Sequence, residues 1–221
     1  MGTVADYFEQ AQLSMAAYAS LQRGMFGKDY PGYVTALVNK GMSQKQAEEF
    51  ANTYSVVYQV EDPSGFSATV FADSSGNNYF AIRGSEGTPT DWLGTNLGEI
   101  GTSGIAISQG IALFNFLQSL VTPAGQMAQQ VEYVPASIDP ITAEVVLPSV
   151  QTIDSVTSLG YLSSATDLVV AGHSLGGHLA MMMSRFAPGL VGSVYTYNAP
   201  GFGVVNGDNG FFDLLRAAPA R

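Results

Sequence analysis

Asp167-Leu-Val-Val-Ala-Gly-His-Ser-Leu-Gly-Gly-His-Leu-Ala180 sets the pattern for the rest of the chain. Leu168-Val-Val-Ala171 is the unbroken apolar run of a strand buried on both faces, and such strands belong to parallel sheets. In Gly172-His173-Ser174-Leu175-Gly176 two glycines flank a serine, which calls for a turn too tight to hold side chains at its edges. Gly177 and Leu179-Ala-Met-Met-Met183 then open a helix able to pack closely on that strand.

Working outward, the downstream segment Ser193-Val-Tyr-Thr-Tyr-Asn198 reads as another strand, with Ala199-Pro-Gly-Phe-Gly203 as its exit turn. A helix is expected over 208–216. Upstream, Pro148 to Ser163 reads as a helix beside the Leu168 strand. Residues 121–150 hold Pro123, Pro135, Pro140 and Pro148 without a clean period, so an irregular excursion is expected there. Ile105 to Leu120 is a long apolar helix candidate. Residues 84–104 are rich in Gly and Thr and include Pro89 and the single tryptophan, Trp92.

The first third changes period midway. Thr3 to Leu21 has helical spacing, with Thr3 or Asp6 as cap, and Ser43 caps a second helix running to Thr53. Residues 24–34 form a loop. Tyr54–Val60, Phe66–Phe71 and Tyr79–Ile82 are strands, the last two joined by the turn Asp73-Ser-Ser-Gly-Asn77. Strands alternating with helices after residue 100 imply a single α/β domain over 1–221. Its sheet is expected to be mostly parallel, with helices on both faces and an antiparallel portion from the hairpin.

The chain has 221 residues, 46% of them hydrophobic and 12% charged, which is a globular composition with a substantial core. Its net charge of −10 opposes nucleic acid or an anionic membrane surface as partner. It has no cysteine, which removes disulfides and thiolate metal ligands. No segment has the ~18 uninterrupted apolar residues of a membrane span, and no basic segment followed by an apolar run opens the sequence.

A serine hydroxyl is a poor nucleophile until a base takes its proton, and a sharp turn exposes it to base and substrate together. The same turn aims the Leu175 N–H at the oxyanion that forms during attack. Chance alone supplies roughly 0.3 Gly-x-Ser-x-Gly matches in a chain of this composition, so the strand-turn-helix context carries the weight.

Ala171-Gly-His-Ser-Leu-Gly-Gly-His-Leu-Ala180 resembles the nucleophile elbow of class 3 (fungal-type) lipases and related bacterial lipases of the α/β-hydrolase fold. Ala81-Ile-Arg-Gly-Ser85 resembles that family's strand-end motif, Asp91-Trp92 falls where the family has its lid, and Tyr197-Asn-Ala-Pro-Gly201 resembles the strand after the elbow helix. The likeness spans roughly residues 54–203, and its motifs come in the family's order. It implies Ser174 as nucleophile, Ser85 and Leu175 as the oxyanion hole, and residues 86–100 with Trp92 as lid. Each has a plainer alternative. Ser85 is otherwise a capping serine, Trp92 a core tryptophan, and Arg83 the partner of a carboxylate, which is the reading favoured for Arg83.

Only two histidines are present, His173 and His178, and neither is well placed as base. His173 adjoins the nucleophile and should point away from it; His178 should sit beneath the turn. After Ser174 the only carboxylates are Asp208 and Asp213. The resemblance implies a later Asp and His, so the last strands and both triad partners are expected beyond residue 221, with a partner chain or an inactive hydrolase as alternatives.

The expectation is therefore a lipase or esterase that cleaves acylglycerols or phospholipids at a lipid–water interface through an acyl-serine intermediate. No cofactor is required, although some bacterial relatives carry structural calcium. The rivals are a non-enzymatic hydrolase-like domain binding lipid or protein, and an acyltransferase using the same elbow. An extracellular location is expected, with the cytoplasm as alternative.

Overall fold

A computed structural model describes residues 3–85, 100, 104–203 and 208–217. The chain divides into two compact units, Met1–Leu93 with Ala165–Gly201, and Gly94–Ser164 with Phe202–Arg221. Trp92 and the expected lid, apart from Ile100, lie outside the described residues.

The first unit begins with α1 (Val4–Ala16). Thr3 is its cap. The Thr3 side chain accepts from the Asp6 N–H, and the Asp6 carboxylate accepts in return from the Thr3 N–H. The helix stops at Ala16, five residues before the expected Leu21. A side chain from the sheet takes over the freed backbone: Gln59 accepts from the Leu21 N–H and donates to the Ala19 carbonyl, each at 2.8 Å. A short helix, α2 (Tyr33–Val38), follows; it has no side-chain cap and starts at Gly32 with φ 81°. In α3 (Gln44–Thr53), Ser43 is the cap as expected, and Gln46 completes a reciprocal capping pair with it.

Strands β1 (Ser55–Glu61), β2 (Ser67–Ala72) and β3 (Asn78–Ile82) form an antiparallel meander. Parallel to β3 lies β8 (Leu168–His173), and parallel to β8 lies β9 (Val191–Tyr197). The order is β1-β2-β3-β8-β9, so the sheet is antiparallel on one side and parallel on the other. Alternation along the strands gives two faces. Phe71, Ala81 and Ala171 share one core with Leu13, Ala16, Leu37, Ala47 and Phe50 from α1–α3. Each fully buried Leu or Phe there contributes about 1.5–3 kcal/mol. Phe80, Ile82 and Val170 occupy the other face, where α5 (Leu175–Phe186) packs on β8, β9 and β3. Helices thus cover both faces of the parallel half.

The second unit holds α4 (Ile107–Val121), close to the expected 105–120. Two expectations fail here. Residues 121–150 are not an irregular excursion. They contain β4 (Met127–Val134) and the short pair β5 (Ser137–Ile138) and β6 (Val145–Val146). Pro148 to Ser163 is not a helix either, because β7 (Ser149–Thr157) runs antiparallel to β4. Val150, Thr152, Ile153, Val156 and Thr157 are β-branched, and their stiff side chains favour the extended chain. Asn115 of α4 grips this hairpin: its side-chain amide donates to the Val131 carbonyl and accepts from the Val131 N–H. The 208–216 helix is present as α6 (Asp208–Ala217), with Phe211 packed edge-on against Tyr133.

Candidate active site

Parallel pairing sets Ile82 of β3 opposite Gly172 of β8. The two strands therefore end side by side, and the segments that follow them, Arg83-Gly84-Ser85 and His173-Ser174, are neighbours. Ser174 joins β8 to α5 with φ 55° and ψ −127°, a conformation that a residue with a Cβ adopts only under strain. The Ser174 N–H donates to the Tyr197 carbonyl at 2.8 Å, which ties the turn to β9.

Three glycines make this turn sterically feasible. A Cβ on Gly172 would strike the backbone of Gly176, and one on Gly176 would strike the Ile82 carbonyl oxygen. At Gly177 a Cβ would lie 2.7 Å from the Ala199 Cβ and 3.0 Å from the Gly172 oxygen. The elbow helix can therefore lie directly against β3, β8 and β9. The Gly177 and His178 N–H groups donate to the Ser174 carbonyl, at 3.0 and 3.3 Å. Helix geometry gives the N–H of Leu175 no partner within α5. Leu175 itself is buried.

Ser85 lies just beyond β3. Its Oγ is buried, and among the described residues it has no hydrogen-bond partner. A buried hydroxyl without a partner costs free energy, and this one lies beside the turn that presents Ser174. A cavity of about 500 Å³ opens at these strand ends, with Met15, Tyr18, Lys40, Ser85, His173 and Tyr197 in its wall. Ligands of open parallel sheets commonly bind outside the carboxyl ends of the strands.

Both histidines have partners other than Ser174. His173 Nδ1 lies 3.1 Å from the Tyr18 Oη. His178 is fully buried, with its Nδ1 3.1 Å from the Pro200 carbonyl. A carbonyl only accepts, so His178 Nδ1 carries the proton. Burial pushes the His178 pKa down, against the raising effect of the Pro200 and Gly201 carbonyls. His178 is thus a neutral strut between α5 and the exit of β9. Arg83 pairs with the Glu61 carboxylate at 3.2 Å, the role favoured for it.

Tyr18 was not legible as part of this site. Its sequence position marks only a helical aromatic, and its partner His173 is 155 residues away. Among the described residues no three His, Asp or Glu side chains gather as a metal-binding group, and no helix is long and apolar enough to cross a membrane. Comparison with protein-family models, with curated proteins and with solved structures finds no match to this chain.

Proposed function

We propose that this chain carries the nucleophile of a serine carboxylic-ester hydrolase of the α/β-hydrolase type, acting on lipid esters such as acylglycerols or phospholipids. The observation that carries this reading is the strained backbone of Ser174, set between a buried parallel strand and a helix by glycines that admit no Cβ. Stored strain of this kind needs a reason, and exposing a hydroxyl to substrate supplies one. The orphaned Ser85 Oγ supports it further.

In this mechanism a base removes the Ser174 proton while Oγ attacks the ester carbonyl carbon. The tetrahedral oxyanion accepts hydrogen bonds from the Leu175 N–H and from Ser85, and the first turn of α5 adds its positive end. Collapse expels the alcohol, which takes up the proton held by the base. Water then repeats the sequence on the acyl-serine and frees the acid. His173 and His178 are both engaged elsewhere, so neither is given the role of base in this reading. The lipid character of the ester rests on the motif resemblance at Ala81–Ser85, Ala171–Ala180 and Tyr197–Gly201.

A fluorophosphonate probe tests the proposal on the full-length protein. One adduct at Ser174, lost in Ser174→Ala, is expected, with turnover of nitrophenyl esters of short and long acyl chains. Transfer to added alcohols in preference to water would redirect the reading to an acyltransferase. Absence of labelling from pH 5 to 10 would overturn it in favour of a hydrolase-like binding domain.

A further inference from the structure

We infer that Tyr18 is a positioning residue that sets the spacing between the oxyanion donors and the nucleophile; this rests on the hydrolase reading of Ser174. The Tyr18 Oη accepts from the Gly84 N–H at 3.2 Å and lies 3.1 Å from His173 Nδ1. One phenol oxygen thus bridges the residue before Ser85 and the residue before Ser174. β3 and β8 have stopped pairing by these positions, since Ile82↔Gly172 is the last pair of their ladder. The bridge continues the register for one more residue.

The gap it spans is closely filled. A Cβ on Gly84 would strike the Tyr18 Oη, would touch the His173 carbonyl oxygen at 2.5 Å, and would lie 3.2 Å from the Ser174 Cβ. Gly84 is therefore pressed between the phenol and the elbow, and Ser85 inherits its position from that contact.

Tyr18 is itself held firmly. Ala17 and Ala19 on either side are almost fully buried, and the Tyr18 N–H donates to the Met15 carbonyl at 3.1 Å. Gln59 fastens Ala19 and Leu21 to β1. At the other end of α1, the Tyr197 hydroxyl donates to the Tyr7 carbonyl at 2.6 Å, so the helix is also fixed to β9. A site displaced by a fraction of an ångström loses transition-state stabilisation, and rigid supporting groups prevent such displacement. Tyr18 acts in this way, through Gly84 and His173.

Tyr18→Phe keeps the ring and removes the bridge. In the full-length protein it should lower kcat on nitrophenyl esters by about 10–100-fold and leave KM within about twofold, because the donors it places act only in the transition state. The rate of fluorophosphonate labelling at Ser174 should fall in parallel. ¹⁵N spectra of the histidine rings should show the His173 Nδ1 signal shifting and His178 unmoved. His173→Ala should reproduce the loss, and the double variant should lose no more than either single one. This second route keeps the test decisive if Tyr18→Phe folds poorly. Wild-type kcat in Tyr18→Phe, a loss confined to KM, an unchanged His173 signal, or additive losses would each overturn the role of Tyr18. An unlabelled wild-type protein would overturn the hydrolase reading itself and the role of Tyr18 with it.

Discussion

At Ser174 stability and chemistry pull in opposite directions. Its backbone conformation costs about 1–3 kcal/mol in a residue with a Cβ, whereas glycine enters it freely. Ser174→Gly should therefore raise stability by about 1 kcal/mol in denaturant unfolding while abolishing probe labelling. A loss of stability would contradict the strain assigned to the turn. Gly176→Ala shifts stability the other way. Its Cβ meets the Ile82 carbonyl, a backbone atom that cannot move aside, so a destabilisation of about 1–3 kcal/mol and loss of labelling are expected.

His178 adds a pH dependence whose sign follows from its burial. Its folded pKa lies below the ordinary value of 6.5, so the unfolded chain takes up a proton that the native site refuses. The stabilising contribution is complete above pH about 6.5 and is lost as the pH falls through the folded pKa. Thermal melts between pH 8 and 5 should show a shallower acid decline for His178→Asn than for the wild type, whatever its starting stability. Parallel declines would remove His178 from the account.

At the scale of elements, Gln59 joins the segment that follows the first helix to the sheet. Its side chain satisfies the Leu21 N–H and the Ala19 carbonyl and also donates to Thr69 Oγ1 at 2.8 Å. Gln59→Ala leaves these groups without their partner and should cost about 1–3 kcal/mol by chemical denaturation. A change under about 0.5 kcal/mol would show that water replaces it. Neither this joint nor the Tyr18 bridge is readable from sequence, because each links residues far apart in the chain through a contact that no periodicity encodes.

What was readable is what local chemistry dictates. The elbow follows from its glycines, α1 and α3 from Thr3 and Ser43, and the β2–β3 turn from Gly76, which has φ 83°. The strand β7 was hidden because Val150, Ile153 and Val156 recur every third residue and imitate a helix face. β4 was hidden because its apolar residues do not alternate cleanly: Met127 and Ala128 are adjacent, two glutamines follow, and Tyr133 and Val134 are again adjacent. α2 is a six-residue helix with no side-chain cap and gave no starting signal.

Over the whole molecule, charge is the dominant long-range term. A net charge of −10 at pH 7 and a pI near 4.3 mean that the folded state carries uncompensated repulsion. Salt shortens the reach of that repulsion from about 30 Å at 0.01 M to about 8 Å at 0.15 M. The melting temperature at pH 7 should therefore rise over this range, and the gain should vanish near pH 4.3. A melting temperature indifferent to salt at pH 7 would show that the acidic side chains are too dispersed to repel.

The order β1-β2-β3-β8-β9 also imposes a timetable on the nascent chain. The meander β1–β3 leaves the ribosome with one edge of β3 open, and the strand that closes this edge follows only after all of β4–β7 has been made. At about 5–20 residues per second, Phe80 and Ile82 wait several seconds for Val170 and Gly172. During that interval the open edge is a template for any other extended chain. The strained turn at Ser174, which comes at the end of β8, can be assembled only once this exposure has ended.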